Sequence, residues 1–236
     1  MNLTCYQPVS IQSEDRINTL KERFKKNGFD GFSACEAVEL VLAFGNERDN
    51  APRVAKPLID AFGSLRGVLD ASPEEMAEAG HISKGAVTFI RFIKEAAGEY
   101  LRLSMIGKNA VHLGRREVLD YLEFTLSGER IEKFLAVYLD SGGFVITVET
   151  LFEGTINQTA VYPRRAVEMA FKHGAASLIV AHNHPSGDSQ PSESDRLLTQ
   201  GLVLAGRAVD LEVIDHVIIG KGNRFSAKEA GWLDNL

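Results

Sequence analysis

Two histidines and an aspartate lie close together in the segment AHNHPSGDSQPSESD at residues 181–195. His182 and His184 are two residues apart, so on a strand both side chains point to the same side. Pro185 cannot extend a strand ladder, and the loop after it returns the chain to Asp195 in the first turn of a helix. Two imidazoles, one carboxylate and an open coordination position are typical of catalytic zinc, which lowers the pKa of a bound water to about 7. The spacing therefore predicts a zinc site that activates water.

Each part of this segment also has a purely structural explanation. Ser192 and Asp195 fit a helix capping box, in which both side chains bond to backbone N–H groups. Taken alone, that explanation is the stronger one for these two residues. A lone histidine in a loop rich in proline and glycine usually just fills polar surface. Two histidines on one face at the end of a strand, followed closely by a carboxylate, favour the metal site.

The elements needed to position these residues are visible in the second half of the sequence. Apolar runs of strand length, turn signals and amphipathic stretches predict a helix, a hairpin, a helix, a strand, a helix and a strand. The predicted bounds of these elements are 115–126, 134–139 with 144–149, 163–172, 177–181, 192–207 and 213–220. This order indicates an α/β domain with a central mixed sheet flanked by helices.

The first half of the sequence has a different periodicity. From residue 13 to residue 100, apolar residues recur three and four positions apart, and glycines fall between these stretches. Ser72, followed by Pro73 and two glutamates, is typical of a helix N-terminus. We therefore predict an all-helical domain over residues 1–105 and an α/β domain over residues 109–236, joined by a short linker.

The spacing around the histidines resembles a known family. Residues 182–195 reproduce the JAMM motif of the MPN metalloproteases, H-x-H-x7-S-x2-D, without a gap. The wider run AHNHPSGD…PS…D, with FxGT at 152–155 before it and DH at 215–216 after it, resembles the bacterial RadC family. The helical first half is similar to RadC proteins as well. The resemblance implies a JAMM/MPN domain of the cytidine deaminase-like type after a helix-hairpin-helix-like domain.

The resemblance also implies roles for further residues. In JAMM proteins a glutamate at the entry to the first strand is the general base, and Glu132 fits because it precedes the strand at 134–139. Glu149 and Glu153, on or just after the second strand, are the alternatives. Ser192 would help to stabilise the oxyanion of the tetrahedral intermediate. With zinc as the cofactor, these roles imply hydrolysis of an amide or isopeptide bond.

Asp215 and His216 lie within the predicted strand at 213–220. A ligating imidazole usually donates its second N–H to a partner behind it, so this pair is a candidate for steering one of the zinc histidines. A partly buried pair at the end of a strand, with its hydrogen bonds satisfied, explains the two residues equally well.

Residues 71–86 resemble a helix-hairpin-helix, which binds the DNA backbone through a glycine-rich turn whose amides face a phosphate. The usual turn is Gly-hydrophobic-Gly, whereas here His81 and Ile82 follow Gly80 and the second glycine is absent. Several glutamates also lie nearby. We therefore expect this hairpin to pack as a structural unit, with DNA as the alternative partner.

Composition limits the partners and the compartment. The net charge is −6, and residues 109–236 carry 12 basic against 17 acidic side chains, the wrong sign for a phosphate-binding surface. No apolar run approaches the roughly 20 residues that cross a bilayer, and residues 1–10 lack the pattern of a signal peptide. Cys5 and Cys35, far apart in sequence, are expected to be free thiols. These features predict a cytoplasmic protein that contacts no membrane.

The leading hypothesis is an enzyme, a zinc metallopeptidase or isopeptidase that acts on a peptide or protein substrate. The alternative is a DNA-associated or partner-binding protein whose metal site is not catalytic. It rests on the RadC resemblance, whose traditional label is DNA repair, and on the helical hairpin. A metal-dependent nuclease or deaminase comes third, since a deaminase normally uses thiolates beside its histidine and the two cysteines are not placed for that role.

Overall fold

The structure of the protein, a computed structural model, covers most of the chain. It describes residues 13–47, 50–110, 115–154 and 163–233, with side chains described from residue 15 onwards. Cys5 and Thr155, two residues singled out in the sequence, lie outside these ranges. Within the described part of the chain, Cys35 is buried and is not part of a disulfide. None of the helices in that part combines the length and apolar character needed to cross a membrane.

The chain divides into two compact units, Met1–Ala97 and Gly98–Leu236. The helix that runs from Lys84 to Met105 contributes residues to both units. The predicted domain bounds, 1–105 and 109–236, remain a prediction.

The described part of the first unit is helical, as its periodicity predicts. Its elements are α1 (Ser13–Asn27), α2 (Ala34–Phe44), α3 (Ala51–Phe62), α4 (Leu65–Asp70), α5 (Pro73–Ala79) and the beginning of α6 (Lys84–Met105). The apolar faces of these helices meet in one buried core. A capping box begins each of α2 and α5, and in both the serine and the glutamate bond to backbone N–H groups at the start of the helix.

The described part of the second unit is a mixed sheet with helices on both faces, which confirms the predicted α/β class. Its elements are α7 (Arg115–Leu126), β1 (Glu132–Leu139), β2 (Val145–Gly154), α8 (Pro163–His173), β3 (Ser177–Asn183), α9 (Glu193–Arg207), β4 (Glu212–Ile219) and β5 (Arg224–Ser226). The strand order is β2-β1-β3-β4-β5. Strands β3 and β4 are parallel, and the other neighbours are antiparallel. Strand β5, which is only three residues long, has no periodic signal in the sequence.

Alternation along the strands gives the sheet two apolar faces. One face packs against α7 through residues such as Val137 and Ile179. The other packs against α8 and α9 through residues such as Val180. The same alternation directs His182 to the face covered by α9 and Asn183 to the face covered by α7.

The register of the central strands brings three chain segments together at one end of the sheet. Phe134 of β1 pairs with His182 of β3 in the antiparallel ladder. Glu132, two residues before Phe134, lies on the same face of β1, so it approaches the end of β3. Helix α9 starts at Glu193, shortly after β3 ends, and covers this face. The beginning of β1, the end of β3 and the beginning of α9 therefore meet.

Candidate metal centre

Three side chains converge where β3 ends and α9 begins. Nε2 of His182 lies 3.1 Å from Nε2 of His184 and 3.0 Å from Oδ1 of Asp195. Nε2 of His184 lies 3.3 Å from Oδ2 of Asp195. Neighbouring ligand atoms around a tetrahedral ion with bonds of about 2.0–2.1 Å are about 3.3 Å apart. These three residues can therefore hold one metal ion.

The cluster is enclosed on one side and open on the other. His182 and Asp195 are buried, whereas the side chain of His184 is 18% exposed. Burial alone would raise the pKa of Asp195, but hydrogen bonds from His182 and His184 outweigh it and hold that pKa below its ordinary value. An anionic carboxylate between two imidazoles is a suitable donor set for a divalent cation.

Asp195 serves the helix and the cluster at the same time. Its Oδ2 accepts hydrogen bonds from the backbone N–H of Ser192 at 2.7 Å and from the Ser192 hydroxyl at 2.6 Å. Its own N–H donates to Oγ of Ser192 at 3.2 Å, which completes a capping box. Oδ1 faces His182. Ser192 and Asp195 therefore form a helix capping box, and the same aspartate also belongs to the cluster that can hold a metal.

His184 is oriented by backbone groups. Its Nδ1 donates to the carbonyl oxygen of Asp188 at 2.8 Å, because a carbonyl can only accept. When the ring is neutral, Nε2 then presents its lone pair to the cluster. The hydrogen bond to Asp195 raises the pKa of His184, against the opposing effect of burial. The backbone N–H of His184 donates to the carbonyl of Ile219 at 3.0 Å, which anchors the loop to β4.

Gly220 allows this loop to lie directly against the end of β4. A Cβ atom at position 220 would lie 2.1 Å from Oδ1 of Asn223, 2.5 Å from the carbonyl oxygen of Gly187 and 2.8 Å from the backbone nitrogen of Ser189. Lys221 also donates its N–H to the carbonyl of Gly187 at 2.8 Å. Gly220 could not be predicted from the sequence, because the loop that leaves no room for a side chain at this position comes from a distant part of the chain.

His182 is held by buried side chains instead. Its Nδ1 lies 2.9 Å from Nε2 of His216, and Nδ1 of His216 lies 2.7 Å from Oγ1 of Thr199. The Thr199 hydroxyl donates to the carbonyl oxygen of Asp195 at 2.6 Å. The ring of Phe134 stacks on His182, with 5.5 Å between centroids. Burial is the main cause that lowers the pKa of His216 to about 3, so His216 is neutral near pH 7.

Only one member of the predicted pair Asp215 and His216 lies at the cluster. Adjacent residues of a strand point to opposite faces, and the Asp215 side chain lies on the other face. Its carboxylate accepts hydrogen bonds from the Ser226 hydroxyl at 2.7 Å, the Lys228 backbone at 2.9 Å and the Arg115 guanidinium at 3.0 Å. Asp215 therefore connects β4 to α7, to β5 and to the residues after β5. From this face of the sheet it cannot orient a histidine of the cluster.

Glu132 has a carboxylate oxygen, Oε2, that is buried and has no hydrogen-bond partner among the described residues. Burial raises the pKa of Glu132; the nearby His182 lowers it and Asp195 raises it, and the net effect is upward. The carboxylate of Glu132 therefore interacts electrostatically with His182, His184 and Asp195. An unpaired buried polar group costs about 1–3 kcal/mol, so a site that keeps one is a candidate for function.

The three candidate glutamates differ in the residues that surround their carboxylates. Oε1 of Glu149 lies 2.9 Å from Nε2 of His173, the last residue of α8. Glu153 lies 3.5 Å from Nζ of Lys133, whose side chain leaves β1 on the face opposite to Glu132. Of the three, Glu132 has its pKa perturbed by both His182 and Asp195.

Asn183, between the two ligand histidines, fixes the entry to β1 from the other face of the sheet. Its buried Oδ1 accepts from the backbone N–H of Lys133 at 2.8 Å. Its Nδ2 donates to the carbonyls of Glu129 at 3.1 Å and Ile131 at 3.0 Å. These bonds hold the backbone on both sides of Glu132. Asn183 and Thr199 were not predicted either, because their partners, Lys133 and His216, are distant in sequence.

The helix-hairpin-helix-like segment forms α5, a short turn and α6 in the first unit. At this turn the backbone N–H of Ser83 donates to Oε1 of Glu47 at 2.8 Å, and Glu47 is buried. A carboxylate oxygen therefore already accepts from a backbone N–H of the kind that would donate to a DNA phosphate. That the hairpin packs as a structural unit, with DNA as the alternative partner, remains a prediction.

Comparison with known families adds an independent observation. The family model of the RadC-like JAB domain matches residues 114–232, which is 119 of the 236 residues. The matched span runs from α7 through β5 and includes all the residues of the cluster and the residues that orient them. The chain therefore belongs to the RadC family, and its second unit contains a RadC-like JAB domain.

Proposed function

We propose that the protein is a zinc-dependent hydrolase that cleaves peptide or isopeptide bonds. The observation that carries the proposal is the buried Oε2 of Glu132, which has no hydrogen-bond partner among the described residues and lies beside three side chains that can hold a metal. Membership of the RadC-like JAB family supports it. Zinc is the proposed metal because two imidazoles and one carboxylate form a donor set typical of catalytic zinc. The cytidine deaminase-like fold type belongs to the same proposal, supported by the mixed sheet with helices on both faces.

His182, His184 and Asp195 would hold the ion, which would supply Lewis acidity for water and for the scissile carbonyl. Glu132 would take a proton from the attacking water at Oε2 and deliver it to the leaving nitrogen as the C–N bond breaks. An oxygen without a competing donor is suited to this transfer, since no existing hydrogen bond must be broken first.

Ser192 would donate to the oxyanion that develops on the substrate carbonyl. Its hydroxyl proton is directed at Oδ2 of Asp195 in the structure. The backbone N–H of Ser192 donates to the same oxygen, so the hydroxyl can turn to the substrate without leaving Oδ2 unpaired.

Metal binding is tested first. Metal-free wild-type protein should bind about one zinc ion per chain in a titration against a chromogenic chelator, because three of the four positions of a tetrahedral site are supplied. His182→Ala should lose this binding, whereas His173→Ala, which changes a histidine outside the cluster, should keep it. Zinc retained by the His182→Ala protein would contradict the proposed site.

Hydrolysis is tested with two probes: a mixed-sequence library of quenched fluorescent peptides, and peptides joined through a lysine ε-amide. The zinc-loaded wild type should cleave members of at least one set. Glu132→Gln should bind zinc and lose cleavage, and Glu153→Gln should keep both. A Glu132→Gln protein that cleaves as fast as the wild type would refute the base assignment. Zinc binding without cleavage of either set would favour the alternative, a metal site that is not catalytic.

A further inference from the structure

Two ligand residues are connected by a continuous chain of buried hydrogen bonds. It runs from Nδ1 of His182 to His216, from His216 to Thr199, and from Thr199 to the backbone carbonyl of Asp195. His216 is 1% exposed and Thr199 is fully buried. Every nitrogen and oxygen in this chain lies within 2.6–2.9 Å of its neighbour, so each gap must contain one proton.

The positions of these protons follow from the Thr199 hydroxyl, which has one proton to donate. The carbonyl of Asp195 can only accept, and it lies 2.6 Å from Oγ1 of Thr199, so the hydroxyl proton points there. Oγ1 must then accept from Nδ1–H of His216. In a neutral, buried imidazole the other nitrogen, Nε2, is bare and accepts from Nδ1–H of His182.

The reverse direction is excluded by the same contacts. If Nε2 of His216 donated to His182, its bare Nδ1 would need the hydroxyl proton of Thr199. Two acceptors, Oγ1 and the carbonyl of Asp195, would then face each other at 2.6 Å without a proton between them. That arrangement is strongly unfavourable in a buried site.

We infer that Thr199 and His216 are positioning residues that keep a proton on Nδ1 of His182, so that Nε2 is the ring nitrogen available to a metal beside His184 and Asp195. The inference deepens the proposed metal site and rests on it for its purpose. The chain also links the ring of one ligand to the backbone of another, so the ligands are oriented before a metal arrives. The group that faces Nδ1 of His182 is an imidazole backed by a hydroxyl, which distinguishes this arrangement from the carboxylate or carbonyl that more usually backs a ligand histidine.

The first measurement determines the protons directly in the metal-free wild-type protein. Long-range ¹⁵N–¹H correlation of the imidazole rings distinguishes a protonated nitrogen from a bare one. His216 should show a proton on Nδ1 and a bare Nε2. A proton on Nε2 of His216 would overturn the inference, whether or not the protein binds zinc.

The second measurement compares zinc affinity by chelator competition in full-length variants. Thr199→Val keeps the shape but removes the hydroxyl, and it should weaken zinc binding by about 10–100-fold, the usual range for a partner behind a ligand. Thr199→Ser keeps the hydroxyl and should restore binding close to the wild-type value. Thr88→Val is the matched control, because Thr88 also donates to the carbonyl four residues earlier but touches no histidine among its described contacts.

The two variants of Thr199 also separate positioning from folding, with thermal unfolding of the metal-free proteins as the check. Wild-type affinity in Thr199→Val, or equal losses in Thr199→Val and Thr199→Ser, would overturn the inference. Failure of the wild type to bind zinc would refute the proposed function instead, and the proton assignment on His216 would still test the hydrogen-bond chain.

Discussion

The capping boxes of α5 and α9 have the same geometry but different consequences. In α5 the N–H of Ser72 donates to Glu75 at 2.7 Å, and the N–H of Glu75 donates to the serine hydroxyl at 3.2 Å. In α9 the same two distances between Ser192 and Asp195 are 2.7 and 3.2 Å. Asp195 additionally meets the two ligand histidines. A local motif thus becomes part of a site only through what the sheet brings to it.

Buried carboxylates show the same contrast between the two units. Glu39 in α2 is 1% exposed, and both of its oxygens accept from the guanidinium of Arg16, at 2.7 and 3.0 Å. Oε2 of Glu132 is also buried but has no partner among the described residues. The carboxylate of Glu39 has its partners in place, whereas within the described part of the chain Oε2 of Glu132 is left available to a ligand.

The largest contrast is expected between the two acids of the capping boxes. Asp195→Asn keeps an oxygen that can cap the helix but removes the negative charge from the cluster. Its zinc affinity should fall by more than the roughly 10–100-fold that follows loss of a partner behind a ligand. Glu75→Gln makes the matching change in α5 and should leave zinc affinity unchanged. Chelator competition measures both, and equal affinities for the two variants would remove Asp195 from the metal site.

Glycines in tight contacts provide the second comparison. A Cβ at Gly220 would lie 2.1 Å from Asn223, and a Cβ at Gly67 in α4 would lie 2.1 Å from the carbonyl of Phe62. Gly67→Ala and Gly220→Ala should each destabilise the protein by about 1–3 kcal/mol, the usual cost of overpacking. Only Gly220→Ala should also weaken zinc binding, by about tenfold, because it displaces the loop that carries His184.

Urea unfolding and chelator competition test this pair together. Gly220→Ala with normal zinc affinity would show that the loop adapts without moving the ligand. A loss of zinc binding in Gly67→Ala would show instead that its defect spreads beyond α4.

Local signals in the sequence predicted most of the fold and the grouping of His182, His184 and Asp195. The bounds of α7 agree with the predicted helix 115–126, since amphipathic periodicity and end signals are encoded in neighbouring residues. The H-x-H spacing likewise directs two side chains to one face without tertiary information. Thr199, Asn183 and Gly220 could not be found in this way, because their roles depend on partners 17 or more residues away or on a close approach between loops.

Glu39, which is buried, and Glu132, whose Oε2 is buried, provide the third comparison. Glu39→Gln should lower the free energy of unfolding by about 1–3 kcal/mol, because the partly exposed Arg16 loses its charged partner. Glu132→Gln should leave stability unchanged or raise it, since it removes the charge of a buried carboxylate that has an unpaired oxygen. Urea unfolding of the metal-free proteins is the measurement. A Glu132→Gln protein as destabilised as Glu39→Gln would mean that Glu132 supports the fold.

The smallest effects are expected for the two capping serines. Ser72→Ala and Ser192→Ala each remove the cap from a helix and should each cost about 1 kcal/mol. Hydrogen exchange should show the loss locally, at the first turn of α5 or of α9. Only Ser192→Ala should change zinc affinity, and only by a few-fold, because the N–H of Ser192 still donates to Oδ2 of Asp195. Equal zinc affinity in both variants would mean that the hydroxyl of Ser192 serves the helix alone, since the aspartate would then be held in place for the metal by that backbone N–H.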